Sequence, residues 1–271
     1  MKIALCFSGF IRDVEETKVF WTALIKKYNI DVYASFWDDE IPQLGDTIKN
    51  FETIYTPKRL EVEHYEIFKE TTQNFASMNI QSPKNIADIY QKSSEAFNQI
   101  SMYYKVWKAN MLSKQIGINY DLVIRARIDT VLDELFEIVD NDMLNLPMGT
   151  NNCPAFHQSD GLNDCFAYGR PKIMDYYSFI YLHMMDYLNQ GHYLFPPEHF
   201  LAVHFSKIRI PIRFFANYMM ISRVSKKMSN EIYNHFAANS KDLIEWGDRI
   251  DFNPDPTYTF KKQSIKDDFV I

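Results

Sequence analysis

Three charged side chains occupy alternate positions near the centre of the chain, namely Arg125, Arg127 and Asp129. They follow Leu122–Ile124, an apolar and largely β-branched run that predicts a buried central strand. If the strand continues, alternate residues share one face, so the three charges point the same way. Open α/β sheets bind ligands at the carboxyl ends of such strands. The spacing therefore favours a site for an anionic group such as a diphosphate, and the alternative is an Arg–Asp ion pair without a ligand.

A second candidate site lies near the start of the chain, where Ser8, Gly9 and Arg12 follow the apolar run Lys2–Phe7. We expect Lys2–Phe7 to be a buried strand that Ser8 and Gly9 bring to an end. Glycine has no Cβ, so a nucleotide can approach the backbone closely, and an arginine can bind a phosphate through two parallel hydrogen bonds. The alternative is an ordinary strand-to-helix turn with a surface arginine. Because the motif is neither G-x-G-x-x-G nor a Walker sequence, neither a dinucleotide site nor an ATP site is indicated.

Candidate acid–base groups lie in the second half of the chain. Asp160 and Asp164 belong to a segment rich in Asn, Asp and Gly, and Glu198 follows two prolines that are typical of a helix start. A carboxylate held in a fixed position can take a proton from an acceptor hydroxyl. The alternatives are turn residues for the two aspartates and a partner of the helix dipole for Glu198.

The elements that must position these residues alternate between strand and helix. In the first half we expect strands at Lys2–Phe7, Ile30–Ser35, Phe51–Tyr55 and Asp121–Ile128, helices at Glu15–Tyr28 and Asp88–Gln115, and a loop with a helix fragment at Tyr65–Ala87. A strand, a helix and a second strand in this order predict a parallel pair with a right-handed crossover. The spacing of Ile100, Tyr104, Trp107 and Met111 predicts the buried stripe of the second helix.

The second half has a different pattern. We expect a loop at Asp140–Asp164, a strand at Cys165–Tyr168, helices at Pro171–Leu188, from Pro197 to about Ser206 and at Met228–Ala238, paired strands at Ile208–Phe215 and Tyr218–Val224, and an irregular tail from Gly247. Tyr177 belongs to the apolar stripe of the first of these helices. Pro211 should confine its strand to a sheet edge. Together these elements predict an α/β fold with a mixed, mostly parallel sheet flanked by helices.

Composition excludes several classes of protein. The chain has 271 residues and a formal net charge of -6, which argues against broad binding to nucleic acid or anionic lipid. Cys6, Cys153 and Cys165 form no C-x-x-C motif, so we expect buried thiols rather than disulfides or a zinc site. No apolar run approaches the length of a transmembrane segment, and the N-terminus does not resemble a signal peptide. These features predict a cytoplasmic protein.

Six segments in order carry a resemblance to a known family. They are A-L-C-F-S-G-F-I-R, D-V-Y-A-S-F-W-D, Q-I-S-M-Y-Y-K-V-W-K, Y-D-L-V-I-R-A-R-I-D, N-D-C-F-A-Y-G and P-P-E-H-F-L, between residue 2 and about residue 205. In these segments the chain resembles bacterial and viral glycosyltransferase-like proteins of the GT-A fold, which act in surface polysaccharide or lipopolysaccharide synthesis. The resemblance implies a single domain, with residues 1 to about 135 binding a nucleoside-diphosphate sugar and about 136 to 271 binding a glycan acceptor.

The resemblance also implies roles for the candidate residues. Ser8, Gly9 and Arg12 would contact the nucleotide, and Asp129 would contact the diphosphate or its metal. Arg125 and Arg127 are assigned to the diphosphate by their charge and position beside Asp129. Asp164 or Glu198 would act on the acceptor.

Sugar transferases of this fold often carry Asp-x-Asp at a strand end to hold a divalent cation. Here Arg127 takes the first place and Asp129 the second. Asp129 could hold Mn²⁺ or Mg²⁺ through oxygen, or an arginine could replace part of the role of the cation. The alternative functions are a sugar nucleotidyltransferase and a non-catalytic nucleotide- or glycan-binding protein.

Overall fold

The computed structural model describes residues 1–38, 44–77, 93–132, 136–147, 162–190, 197–208, 210–215 and 219–221. Its strands are β1 (Ile3–Phe10), β2 (Asp31–Asp38), β3 (Arg59–His64), β4 (Leu122–Ala126), β5 (Thr130–Leu132), β6 (Leu144–Pro147), β7 (Phe166–Gly169), β8 (Ile212–Phe215) and β9 (Met219–Ile221). Its helices are α1 (Val14–Tyr28), α2 (Leu44–Tyr55), α3 (Tyr65–Ser77), α4 (Ser93–Lys114), α5 (Pro171–Asn189) and α6 (Pro197–Ile208).

A mixed sheet of seven strands forms the centre of the described structure, in the order β3-β2-β1-β4-β7-β6-β8. The first four of these strands are parallel, β7 is antiparallel to both of its neighbours, and β8 is parallel to β6. A separate antiparallel pair joins β5 to β9. The predicted α/β fold with a mostly parallel sheet is thus confirmed, and β4 is its middle strand.

Helices cover the two faces of this sheet, and alternation along the strands explains how. Leu5, Phe7 and Ile124 belong to the apolar cluster that includes α1 and α2, whereas Cys6 and Val123 belong to the cluster that includes α4, α5 and α6. Successive residues of a strand point to opposite faces. Strands covered on both faces need continuous apolar runs, which is why β1, β2 and β4 read as such in the sequence.

One predicted element of the first half is wrong. Phe51–Tyr55 is the end of helix α2 rather than a strand, and both Phe51 and Tyr55 are buried, four positions apart on one side of that helix. The third strand is β3 instead. Helix α3 is the helical part expected within Tyr65–Ala87, and the remainder of that segment lies outside the described residues. A short apolar run does not distinguish a strand from the buried side of a helix.

The first two strands also extend beyond their predicted ends. Ser8 and Gly9 lie inside β1, where they pair with Ser35 and Phe36 of β2. Phe36, together with the two residues after it, therefore belongs to β2 and not to a loop. The backbone pairing between the two strands continues past the residues whose types suggested a break.

The second half is paired differently from the prediction. The expected loop Asp140–Asp164 contains strand β6, and β8 pairs with β6 rather than with β9. Strand β8 is at the sheet edge, as Pro211 predicted, and the carbonyl of Pro211 accepts a hydrogen bond of 2.9 Å from the N–H of Leu144. Asp160, Cys153, the expected helix Met228–Ala238 and the tail lie outside the described residues.

Helix α4 presents a different side to the core from the one predicted. Ile100 is buried as expected, but Tyr104, Trp107 and Met111 are only half-buried. The buried positions include Tyr103, Val106 and Ala109 instead. Tyr104 and Trp107 contact the ring of Tyr181 on α5, so aromatic packing between the two helices accounts for the periodic signal.

Two smaller expectations concern the cysteines and the membrane. Cys6 and Cys165 are buried thiols, as predicted, and burial raises the pKa of each to about 12. Within the described ranges, none of the helices combines the length and apolar character needed to cross a bilayer.

Candidate active site

The topology places a crevice position at the carboxyl ends of β1 and β4. From β1 the chain moves outward through β2 to β3 with α1 and α2 on one face, and it returns through α4 on the other face to β4. The strand order therefore reverses between β1 and β4. In open α/β sheets ligands bind outside the carboxyl ends of the strands at such a switch point. Ser8 and Gly9 on β1 and Arg125 on β4 lie at this end.

Arg125 is the most unusual residue at this position. It is 3% exposed, and none of its three guanidinium nitrogens has a hydrogen-bond partner in the described structure. Burying a charge is costly unless it is paired and hydrogen-bonded. Lys105, a second buried cation among the described residues, is paired: its Nζ lies 2.7 Å from Glu63 Oε2 and 4.0 Å above the ring of Trp37. Within the described structure, the three nitrogens of Arg125 therefore lack the hydrogen-bond acceptors that a buried guanidinium needs.

Arg127 and Asp129 bind each other rather than sharing a face with Arg125. Strand β4 ends at Ala126, so the strand geometry on which the alternate-face prediction depended does not continue. Arg127 Nε donates to Asp129 Oδ1 at 2.9 Å and Arg127 Nη2 donates to Asp129 Oδ2 at 2.7 Å. Arg127 also lies 3.5 Å from Cys165 Sγ through Nη1. Arg127 and Asp129 therefore form the Arg–Asp ion pair that the sequence offered as the alternative to a ligand site.

The predicted metal ligand, Asp129, already pairs with a cationic side chain. Both oxygens accept hydrogen bonds from Arg127, and among the described residues no three His, Cys, Asp or Glu side chains form a metal-binding group. Each oxygen keeps a second lone pair, but a Mn²⁺ or Mg²⁺ ion bound there would lie beside the positive charge of Arg127, which repels it. Metal binding at Asp129 stays a prediction, and we assign no step to it.

The two predicted acid–base residues are buried, and a backbone hydrogen bond joins the segments that carry them. Asp164 is 2% exposed and Glu198 is 3% exposed. The side chain of Asn163 accepts hydrogen bonds from the N–H groups of Cys165 and Phe166, at 2.9 and 3.1 Å. These bonds fix the turn that carries Asp164. The N–H of Leu162 donates to the carbonyl of Glu198 at 2.9 Å. The loop before β7 and the start of α6 thus form one unit.

The charges of Arg125, Asp164 and Glu198 act on the same buried tyrosines. The pKa of Tyr103 is raised well above its usual value, first by burial and then by the neighbouring Asp164, Tyr177 and Glu198, while Arg125 lowers it. The pKa of Tyr177 is raised by burial, and Arg125 and Asp164 again act on it with opposite signs. The structure therefore brings Arg125, Asp164 and Glu198 into one environment.

Tyr103 and Tyr177 are neighbours of the site that sequence reasoning missed. Tyr103 Oη donates to the carbonyl of Pro197 at 2.7 Å and so holds the first turn of α6 against α4. Tyr177 was predicted as a residue of a core stripe, and its ring is buried as such a stripe requires. A tyrosine where an apolar side chain would suffice is the signal that could have identified both residues, because a buried hydroxyl needs a partner.

The residues predicted to contact the nucleotide have the following positions. Ser8 and its partner Ser35 are buried on the face that α4 covers, and the described structure contains no hydrogen-bond partner for either hydroxyl. Gly9 has φ 111°, a conformation that other residues rarely adopt, although a Cβ there would meet no atom within 4 Å. The guanidinium of Arg12 lies 4.6 Å from the ring centroid of Phe10.

His204 is a buried histidine of helix α6 whose two ring nitrogens both have partners. Nδ1 lies 2.8 Å from Tyr187 Oη and Nε2 lies 2.6 Å from the carbonyl oxygen of Tyr176. Burial lowers the pKa of His204 to about 4. The residue is a neutral part of the core between α5 and α6.

Comparison with known proteins adds no relative. The chain matches no family model, and no curated protein is similar to it. The class that the fold defines is therefore an α/β protein with a mostly parallel mixed sheet and a buried cation at its switch point.

Proposed function

We propose that this protein is a glycosyltransferase of GT-A type that transfers a sugar from a nucleoside-diphosphate sugar to a glycan acceptor. The observation that supports this most is Arg125, a buried guanidinium without a partner in the described structure, at the switch point of an α/β sheet. A diphosphate carries the negative charge that such a group requires. The ordered resemblance of six segments to sugar transferases supports the choice of a nucleotide sugar.

The proposed reaction assigns different tasks to the two sides of the site. Arg125 binds the diphosphate and stabilises the charge that develops on it as the bond from the anomeric carbon to the phosphate oxygen breaks. Asp164 or Glu198 takes the proton from the acceptor hydroxyl, whose oxygen forms the new bond to the anomeric carbon. Ser8 and Gly9 lie beside the nucleoside, with Arg12 beyond the end of β1.

Binding of a nucleoside diphosphate is the first test. We expect UDP or GDP to raise the melting temperature of the protein, each measured with and without Mn²⁺, because a ligand at a hundred times its Kd stabilises by about 2.7 kcal/mol. R125M should abolish this shift, since methionine keeps the unbranched stem without the charge. R170M is the matched control, because the half-exposed Arg170 pairs with Asp140 and Asp142 elsewhere on the surface. A wild type that neither nucleotide stabilises would contradict the proposal.

Turnover is the second test. With UDP- and GDP-linked sugars we expect release of the nucleoside diphosphate. The release should be slow when the sugar is transferred to water and faster when a glycan acceptor is present. Loss of the general base, in D164N or in E198Q, should lower turnover by about 10²–10⁴. Full turnover in both variants would remove these residues from the proposal. Release of pyrophosphate from a nucleoside triphosphate and a sugar phosphate would identify a nucleotidyltransferase instead, and nucleotide binding without any turnover would identify a binding protein.

A further inference from the structure

The hydroxyl of Tyr177 is a second polar group at the site that lacks a partner. Tyr177 is 0% exposed, on the side of α5 that packs on the sheet, and its Oη has no hydrogen bond in the described structure. Two other buried tyrosines nearby are satisfied: Tyr103 Oη donates to the carbonyl of Pro197, and Tyr187 Oη bonds to His204 Nδ1 at 2.8 Å. The ring of Tyr177 explains the packing of the residue, but not the presence of the hydroxyl.

The position of this hydroxyl relates it to Arg125. Helix α5 packs against β4 and β7, and the charges of Arg125 and Asp164 both act on the phenol of Tyr177. Two unpartnered groups in one buried environment are each costly in the free protein, and both are hydrogen-bond donors. One ligand with several acceptor oxygens would satisfy both at once, and a phosphate group has that chemistry.

We infer that Tyr177 is a ligand-binding residue whose Oη donates a hydrogen bond to the same phosphate group that Arg125 binds. Because burial raises the pKa of Tyr177, the phenol keeps its proton and stays a donor at neutral pH. The identity of that phosphate as part of a nucleoside diphosphate rests on the proposed function. The contact itself requires only a phosphate anion.

The substitution Y177F tests this inference, because it removes the hydroxyl and keeps the buried ring. The matched control is Y187F on the same helix, which removes a hydroxyl that bonds to His204. Titration calorimetry with pyrophosphate, UDP and GDP measures binding, and the melting temperature without ligand measures stability. We expect Y177F to bind at least about tenfold more weakly than wild type, since a hydrogen bond to a charged group is lost. Y187F should bind as wild type does.

The two variants should also differ without ligand. Y177F loses an unsatisfied buried hydroxyl, so its melting temperature should equal or exceed that of wild type, whereas that of Y187F should fall by about 2–4 °C. A similar fall in Y177F would show that its hydroxyl has a structural partner and would overturn the inference. Wild-type affinity in Y177F, with binding lost in R125M, would also overturn it while leaving the proposed function intact. If pyrophosphate binds through Tyr177 but nucleoside diphosphates bind no better and no sugar is released, the inference stands and the proposed function fails.

Discussion

Arg125 and Arg127 are separated by one residue and are both charged, yet their environments have different consequences for stability. Arg127 shares two hydrogen bonds with Asp129, whereas Arg125 is buried without a partner in the described ranges. A buried ion pair is strongly destabilised when one member is removed, because the other charge is left uncompensated. Removing Arg125 breaks no hydrogen bond of the described structure, so the loss should be smaller. The two arginines can therefore be distinguished without any ligand.

We expect R127M to lower the free energy of unfolding by about 3–5 kcal/mol, since Asp129 is then buried without its counter-charge. R125M should lower it by less, because methionine preserves the packing of the stem and no hydrogen bond of the described structure is broken. The remaining loss comes from Asp164 and Glu198, which no longer have this positive charge in their environment. Urea denaturation of the ligand-free protein measures both. A loss in R125M as large as that in R127M would show that Arg125 has a structural partner. That result would contradict the proposal that Arg125 binds a ligand.

His204 is a second residue with a measurable consequence, in this case for pH dependence. Its pKa is about 4 in the folded protein, against the ordinary histidine value of 6.5, because burial opposes the charged imidazolium. Between these values the unfolded chain binds more protons, so the stability that His204 contributes is complete above pH 6.5 and is lost as the pH falls towards 4.

We expect wild type to lose up to about 3 kcal/mol of unfolding free energy relative to H204Q as the pH falls from 6.5 to 4. Urea denaturation of both proteins across this range provides the difference, in which the other titrating groups cancel. A difference that does not change with pH would mean that His204 is already protonated in the folded state. The hydrogen bonds to Tyr187 and to the carbonyl of Tyr176 would then need another assignment.

At the scale of elements, the site depends on β1 continuing past the residues that resembled a turn. Gly9 lies within the strand at φ 111° while it pairs with Phe36. This backbone conformation is costly for any residue with a Cβ, whatever the surrounding space. The glycine thus lets β1 extend to Phe10 and bring Ser8 beside Ser35.

We expect G9A to lower the free energy of unfolding by about 1–3 kcal/mol through backbone strain alone, because a Cβ at this position meets nothing within 4 Å. G45A is the control, since Gly45 lies in the first turn of α2 with equally open space and no positive φ. That substitution should stabilise by about 0.5–1 kcal/mol. Chemical denaturation compares the two, and equal effects would remove the conformational role of Gly9.

At the scale of the whole molecule, the proposed anion site contrasts with the overall charge. The formal net charge is -6, so the field of the protein repels anions, and the attraction must come from a local, desolvated cation. Interactions between exposed charges are screened within about 8–10 Å at physiological salt, whereas buried pairs are screened much less. Salt dependence therefore reports where the anion binds.

We expect the affinity for UDP or pyrophosphate to fall by less than about tenfold between 0.05 M and 0.5 M NaCl, as a buried contact to Arg125 predicts. Titration calorimetry at the two salt concentrations measures this, and R125M provides the baseline for binding elsewhere on the surface. Loss of most of the affinity at high salt would indicate a surface site and would contradict the assignment to Arg125.

The sequence by itself determined the features that depend on local pattern. The buried runs of β1, β2 and β4, the amphipathic helices α1 and α5, and the helix start at Pro197 all follow from apolar spacing and from proline chemistry. The middle position of β4 and the edge position of β8 were predicted in the same way. Charged residues at the end of β4 identified the region of the site, because charges that leave a buried strand need partners.

Only the tertiary structure decided which partners those charges have. The turn after Ala126 pairs Arg127 with Asp129 and leaves Arg125 facing Tyr103, Tyr177 and the carboxylates from two later elements. Pairing across strands carried β1 past Ser8 and placed β8 beside β6, far apart in the sequence. Such contacts depend on burial and on long-range hydrogen bonding, which no local spacing encodes.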